Sequence, residues 1–293
     1  DAMIMTSKQL VLAALRGEVT PRVPVGPLAV HFCAGLAGYT HRQYTTDPRA
    51  LADSVFRYYE QFRPDAVWVS ADTWVSAEAM GATVGATGAD QPFGGLGHPL
   101  IRTAADIDRI PSPNVAMQGR YPLMLEALAR VSSAVGKDAF VVACFDQYPF
   151  SLACALMGIN EIMLKLRDDP PMIAALMERC LEYALAYGHA LSGAGADMLS
   201  GGDSPAGLIG PAFYREFALP YERRLIAGLK AGTNKPISLH ICGNATPILG
   251  AMTSAGADVL EIDHQVNLTD AWRMAGPEVA LWGNLDPVGV LGQ

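Results

Sequence analysis

Three observations in the 293-residue sequence predict an α/β fold of the TIM (β/α)8 barrel type. Short apolar, β-rich runs alternate with segments of helical period from end to end, no hairpin signal joins consecutive runs, and nearly every run ends in a polar side chain. Alternation without hairpins requires parallel strands joined by crossover helices, which a doubly wound sheet or a closed barrel would both satisfy. The polar strand ends favour the barrel. A barrel gathers its site from the C-terminal ends of many strands, whereas a doubly wound sheet uses mainly its switch point.

Strands are predicted at residues 23–28, 66–74, 139–145, 197–204, 236–243, 259–264 and 280–287. Most are continuous apolar runs of the kind that parallel strands buried on both faces require. Amphipathic helices are predicted at 50–62, 122–135, 170–191, 211–230 and 247–255. Pro170, Pro171 and Pro211 suit a first helical turn, where a missing N–H is harmless, and Gly193, Gly232 and Gly256 stand where helices end on glycine. The segments Gly81–Gly85 and Gly94–Gly97 lack the strand-before, helix-after context of a phosphate loop and are expected to be loops. The whole chain, 1–293, is predicted to be one barrel domain, with 1–22 as an N-terminal extension and helix. Seven strands are visible, so the eighth strand–helix unit of a closed barrel is expected to be absent from the C-terminus.

The charge balance is 21 Lys+Arg against 29 Asp+Glu, a net charge of −8, with the basic residues scattered. That excludes a phosphate-binding nucleic-acid partner and an anionic membrane surface. No apolar run has the length of a membrane span, and no basic-then-apolar leader is visible. Five cysteines at irregular spacing do not form a disulfide framework, so a cytoplasmic protein with reduced thiols is expected. The methionines Met157, Met163, Met172 and Met177 fall at helical spacing and are expected in the core.

The sharpest chemical signal is Ser238-Leu-His240-Ile-Cys242-Gly243. Residues two apart on a strand share a face, so His240 and Cys242 project together at a strand's C-terminal end. An imidazole and a thiolate side by side suit Zn²⁺, although a buried cysteine beside a satisfied histidine would share the spacing. Glu261 and Asp263 share a face of the following strand and could act as ligands, orienting groups or an acidic rim. Asp72 ends an apolar run and would be unfavourable to bury unpaired, which makes it a candidate catalytic group. Asp203 follows Gly201-Gly202 and could cap its loop or meet substrate; Asn284 and Asp286 end the last strand. His31 and Cys33 also have H-x-C spacing and are expected to line a substrate pocket; His189 is expected to be structural or at the surface.

Phe217-Ala-Leu-Pro-Tyr221 after Gly210-Pro211, the Gly283-Asn-Leu-Asp-Pro287 strand end and the Ser70-Ala-Asp72 strand end together resemble the uroporphyrinogen decarboxylase superfamily, from about Arg22 onward. The resemblance implies a TIM barrel. The superfamily contains decarboxylases and zinc-dependent methyltransferases. Decarboxylases clamp the substrate carboxylates with arginines after strand one, where this chain has Ala29 and Cys33, and their tyrosine is replaced by Ala155, although Asp72 matches their aspartate. His240-Ile-Cys242-Gly243 is similar instead to the zinc motif of the methylcobalamin:coenzyme M methyltransferases. That resemblance implies a Zn²⁺ cofactor held by His240 and Cys242, with a third ligand in a later cysteine that this chain lacks. It also implies a methylcorrinoid delivered by a corrinoid protein and a thiol or similar small-molecule acceptor. Glu261, Asp263 and Asp72 would tune the metal or orient substrate, and His31, Cys33, Asp203, Asn284 and Asp286 would lie near substrate. The alternatives are a uroporphyrinogen decarboxylase-like lyase and a non-catalytic corrinoid- or tetrapyrrole-binding barrel.

Overall fold

The computed structural model describes residues 5–85, 92–94 and 98–291. Its strands are β1 (Ala66–Val69), β2 (Val84–Gly85), β3 (Phe93–Gly94), β4 (Phe140–Gln147), β5 (Met198–Gly202), β6 (Ser238–Ile241), β7 (Val259–Ile262) and β8 (Ala280–Trp282). Six of them form one parallel sheet in the order β1-β4-β5-β6-β7-β8. This is an α/β fold with a parallel, half-barrel sheet.

Period-two alternation explains how the sheet is built. Val67, Val69, Val141, Ala143, Leu199, Leu239, Ile241, Leu260 and Ile262 sit in the large core shared with the helices. The alternate residues Ala66, Trp68, Phe140, Val142, Met198 and Val259 form a separate apolar cluster, joined by Val11 from the helix Ser7–Leu15. That second face is therefore apolar at the N-terminal end of the strands. Further along the same face come Ser70, Cys144, Ser200, Ser238 and Glu261, and then Asp72, Asp146, His240 and Asp263. The site begins where the apolar plug stops.

The helices follow their capping residues. Pro48–Phe62 starts with Asp47 accepting from the Arg49 N–H, and Pro170–Gly193 with Asp169 accepting from the Met172 N–H. The segment predicted at 211–230 is less regular, with Gly210–Phe213 running through a π-helical turn (Tyr214–Ala218) into Leu219–Thr233. Gly232 therefore lies inside a helix, which ends instead on Asn234 at φ 53°. Gly193 closes its helix as the last helical residue, whereas Gly256 takes the left-handed position at φ 92°. The stretch 81–85, expected to be a loop, contributes β2, which pairs antiparallel with β3; residues 95–97 lie outside those described. Met157, Met172 and Met177 are buried, and Met163 packs against the core. Among the described residues, no single helix is long and apolar enough to cross a membrane.

The predicted first strand, 23–28, is a correction: it forms no ladder. Pro24 and Pro27 have no N–H to offer. The segment is nevertheless tied to both ends of the sheet. The Val25 carbonyl accepts from the Asp65 N–H at 2.7 Å, and the Gly26 carbonyl accepts from the indole N–H of Trp68 in β1 at 3.0 Å and of Trp282 in β8 at 3.2 Å. It thus bridges the two edge strands. A Cβ on Gly26 would lie 2.7 Å from the Ala66 Cβ and 2.8 Å from the Trp282 ring. Gly26→Ala is expected to lower stability by about 1–3 kcal/mol through overpacking, measurable by urea unfolding.

Candidate metal centre and its surroundings

His240 lies across from Gly202 of β5 and Glu261 of β7, at the C-terminal end of the sheet. Its Nδ1 is 3.1 Å from the Glu261 carbonyl oxygen, which can only accept, so Nδ1 carries a proton and Nε2 faces the Cys242 Sγ at 2.9 Å. The Cys242 N–H donates to the Ser204 Oγ at 3.2 Å and the Gly243 N–H to the Asp263 Oδ2 at 2.9 Å. These bonds hold the turn that aims the thiol back at the ring. Burial pulls the imidazole down, but the Cys242 hydrogen bond and the Glu261 charge outweigh it and raise His240 to about 9. The same hydrogen bond from His240 lowers Cys242. The hydrogen bond between them thus favours the charged forms of both groups.

These features suit a zinc ion. A ring whose Nδ1 is anchored on a carbonyl presents Nε2 as the ligand atom, and a thiol already biased to thiolate is the other natural donor. Among the described residues no group of three or more His, Cys, Asp or Glu is placed to hold a metal, so they supply two donors.

The neighbouring acids are engaged in distinct ways. Glu261 Oε1 accepts from the Ser200 Oγ at 2.6 Å and from the Ser238 Oγ. Asp263 also accepts from the Gln265 N–H at 2.9 Å; burial would raise it, and the Gln265 and Gly243 N–H groups and the facing histidines bring it below its ordinary range. Asn284 donates to the carbonyls of Asp263 at 3.3 Å and Val266 at 2.8 Å, bracing that loop. Asp286 is half-buried and accepts from the Val288 N–H at 2.9 Å at the start of the helix Pro287–Leu291.

Asp72 is buried and paired. Its carboxylate is held by both terminal nitrogens of Arg120, by Nη1 in a short contact and by Nη2 at 3.1 Å, and by the Trp74 N–H at 2.7 Å. Arg120 Nε also meets Glu78 at 2.5 Å. Burial works against the guanidinium charge, and the two carboxylates reverse this and raise Arg120. Beside Asp72 stands Asp146, which takes a left-handed φ of 68° and accepts from the Ser76 N–H at 2.8 Å, while its Oδ1 is buried without a partner. Burial, followed by the Asp72 charge, raises Asp146 to about 8. A folded value above the unfolded one means that its contribution to stability is complete below the unfolded value of 3.8 and is lost as pH rises through about 8. Asp146→Asn, which keeps the acceptor for Ser76, is therefore expected to be more stable than wild type at pH values above that range. Its stability-versus-pH curve should also flatten between those limits.

Asp203 is fully buried and accepts from the Ser151 N–H at 2.7 Å and Oγ at 2.8 Å, while its own N–H donates to the His240 carbonyl at 2.7 Å. Its carboxyl group meets Glu222, which also accepts from the Tyr214 hydroxyl at 2.5 Å. Burial raises both acids, and the Asp203 charge raises Glu222 further. Sequence reasoning missed Arg120, Glu78, Asp146 and Glu222. Only Glu222 carried a signal, since it interrupts the buried stripe Leu219, Leu225, Ile226 and Leu229 of its helix.

Of the H-x-C pair at 31 and 33, the expectation for Cys33 is corrected. The segment is helical (Val30–Ala37), and Cys33 sits in the core, 2 % exposed, where burial pushes its thiol up to about 12. Among the described residues it belongs to the wall of neither the cavity at Trp74 and Gln147 nor the cleft at His98. His31 Nε2 lies 2.9 Å from the Ala71 carbonyl oxygen, with its ring 5.6 Å from that of Tyr44. His189 lies 3.3 Å from the Gly228 carbonyl, in a structural setting.

A cavity of about 440 Å³ opens beside the site; its walls include Trp74, Pro99, Met157 and Pro205, with Gln147 and Ser151 among the polar residues.

The model of the uroporphyrinogen decarboxylase (URO-D) family matches residues 6–293. A uroporphyrinogen decarboxylase from Geobacter metallireducens is 28% identical over 288 residues, covering 94% of this chain and 82% of its own. A methylcobamide:CoM methyltransferase, MtbA, from Methanosarcina acetivorans is 30% identical over 232 residues, covering 78% of this chain and 66% of its own. The fold superposes on a methyltransferase from Methanosarcina mazei with a TM-score of 0.86 at 26% identity, covering 96% of this chain and 83% of that one. Both kinds of relative are enzymes by name. The chain belongs to the uroporphyrinogen decarboxylase family.

Proposed function

We propose that the protein is a zinc-dependent methyltransferase that moves a methyl group between a corrinoid carried by a partner protein and a thiol or similar acceptor. The observation that carries this reading is the His240–Cys242 pair, at 2.9 Å on one strand end with the imidazole anchored through Nδ1. The MtbA relatives and the structural likeness to a methyltransferase support it. A zinc ion on Nε2 and Sγ would supply the Lewis acidity that keeps an incoming thiol deprotonated at neutral pH, where a free thiol is mostly protonated. The Glu261 carbonyl fixes the ring, and Asp263 holds the turn after Cys242 through the Gly243 N–H. The Glu261 carboxylate, held by two serine hydroxyls, adds negative charge that favours a cation at His240.

A decarboxylase reading is favoured by relatives of that name that cover more of the chain. Against it, residues 29 and 33 offer no cation for a polycarboxylate, and the carboxylate at Asp72 is already taken by Arg120. The two are separated by incubating the zinc-supplemented protein with methylcobalamin and a thiol while following the cobalt–methyl absorbance. In parallel, carbon dioxide release from uroporphyrinogen is assayed. Zinc-dependent demethylation of the corrinoid is expected; carbon dioxide release without it would overturn the proposal.

A further inference from the structure

We infer that the gap left by the missing side chain of Gly202 is the slot in which the methyl acceptor lies, and that Gly202 thereby selects an unbranched thiol. This deepens the methyl-transfer reading and rests on it for the identity of that acceptor.

Two glycines end β5, and they differ in what keeps them small. Gly201 turns towards the core, where a Cβ would lie 2.4 Å from the Phe145 ring, so packing alone requires a glycine there. Gly202 turns to the opposite face of the sheet. A Cβ on it would meet nothing closer than the His240 carbonyl oxygen at 3.9 Å, the Asp146 carbonyl oxygen at 4.0 Å and the His240 Cδ2 at 4.0 Å. These are ordinary contact distances. Its backbone also stays out of the left-handed region that favours glycine. Neither packing nor conformation therefore explains the residue. A strand glycine free of both constraints marks a place where something else approaches the backbone closely.

The gap is open and lies against the metal donors. Gly202 pairs with Gln147 on one side and His240 on the other, yet it is half-buried rather than buried. With a partner strand along each edge, it is reached by solvent from the face it points to. Cys144, two residues before Asp146 on the same face of β4, is half-buried as well. The Cδ2 atom at 4.0 Å is bonded to Nε2, the ring atom that faces the Cys242 Sγ. The gap thus ends one bond from a metal donor.

The surroundings define what fits. Neighbouring strands lie about 4.8 Å apart, so a slot with one strand for its floor takes a single chain and not a branched one. Its nearest atoms are two carbonyl oxygens and a ring carbon, none of them a donor, so an anionic group would lose its hydration and gain nothing in return. The part of the acceptor that lies here is therefore a short, unbranched hydrocarbon, as beside the sulfur of a primary thiol.

The test titrates ethanethiol and tert-butyl thiol into the zinc-loaded protein by calorimetry and follows urea unfolding of the metal-free protein. Ethanethiol should bind at least about tenfold more tightly than tert-butyl thiol. Gly202→Ala should weaken ethanethiol about fivefold, the effect of displacing roughly one methylene, and Gly202→Val should weaken it further. Both variants should keep the wild-type zinc content and unfold at the wild-type urea midpoint or above it, whereas Gly201→Ala should unfold at lower urea. Equal binding of the two thiols, no binding of either, or ethanethiol binding indifferent to both Gly202 variants would each overturn the inference. So would loss of zinc from Gly202→Ala, or a Gly202→Ala protein as destabilised as Gly201→Ala. Methyl transfer from methylcobalamin to ethanethiol is then measured. Weakened binding in the variants without transfer in wild type supports the slot and removes the methyltransferase reading. Transfer with the same KM for ethanethiol in Gly202→Ala and wild type removes the slot and leaves that reading in place.

Discussion

Under the proposed function, Cys242→Ala is expected to lose zinc and, with it, about a thousandfold or more of the methyl transfer, the effect of removing a Lewis acid worth several kcal/mol. Elemental analysis of the purified variant against wild type checks the first part, and the corrinoid assay the second. A further readout does not depend on activity. In the metal-free protein the His240 imidazole is held at about 9 chiefly because the Cys242 sulfur faces it, which offsets the opposing effect of burial. With that sulfur gone, burial dominates and the histidine titrates at lower pH, which a Cε1–H NMR titration would follow. Unchanged zinc content together with an unchanged histidine titration would show that the two side chains do not act as a pair.

Arg120→Leu is expected to destabilise the fold by about 3–5 kcal/mol, the range for removing one partner of a buried ion pair. The reason is what remains. Asp72 is 3 % exposed, and both its oxygens rely on the guanidinium. Glu78 would lose its 2.5 Å contact, and the Thr45 carbonyl its 3.2 Å donor. Asp72→Asn in the same background should recover part of the loss, because a neutral amide is less unfavourable to bury than an unpaired carboxylate. Urea unfolding of the single and double variants measures both effects. An Arg120→Leu protein within about 1 kcal/mol of wild type would show that the site is open to water, as surface ion pairs are.

The residues that sequence could place are those governed by short-range periodicity. His240 and Cys242 meet because period two puts them on one face at a strand end, and Pro170 opens its helix as its fixed φ implies. The misplacements come from assuming the wrong period. On a helix, residues 31 and 33 are rotated by about 200° from each other, so Cys33 turns into the core while His31 turns towards Ala71. Asp146 escaped notice because its strand was ended at Phe145, whereas β4 continues to Gln147. Arg120 and Asp72 are 48 residues apart and joined only by the tertiary fold, so no local pattern could pair them. Where the predicted barrel should begin, two prolines kept a segment in place without allowing it a ladder.

The Gly26 carbonyl, shared by two indoles, gives the molecule a built-in optical gauge. Trp68 and Trp282 come from opposite ends of the sheet, with ring centroids 5.6 Å apart and planes at 75°. Transition dipoles that close couple strongly, so the near-ultraviolet circular dichroism of this protein is expected to carry a component belonging to the pair. That component vanishes once the edges part, whether or not the helices have melted. Comparing its loss with far-ultraviolet signals would separate the parting of the two sheet edges from the unfolding of the helices and strands.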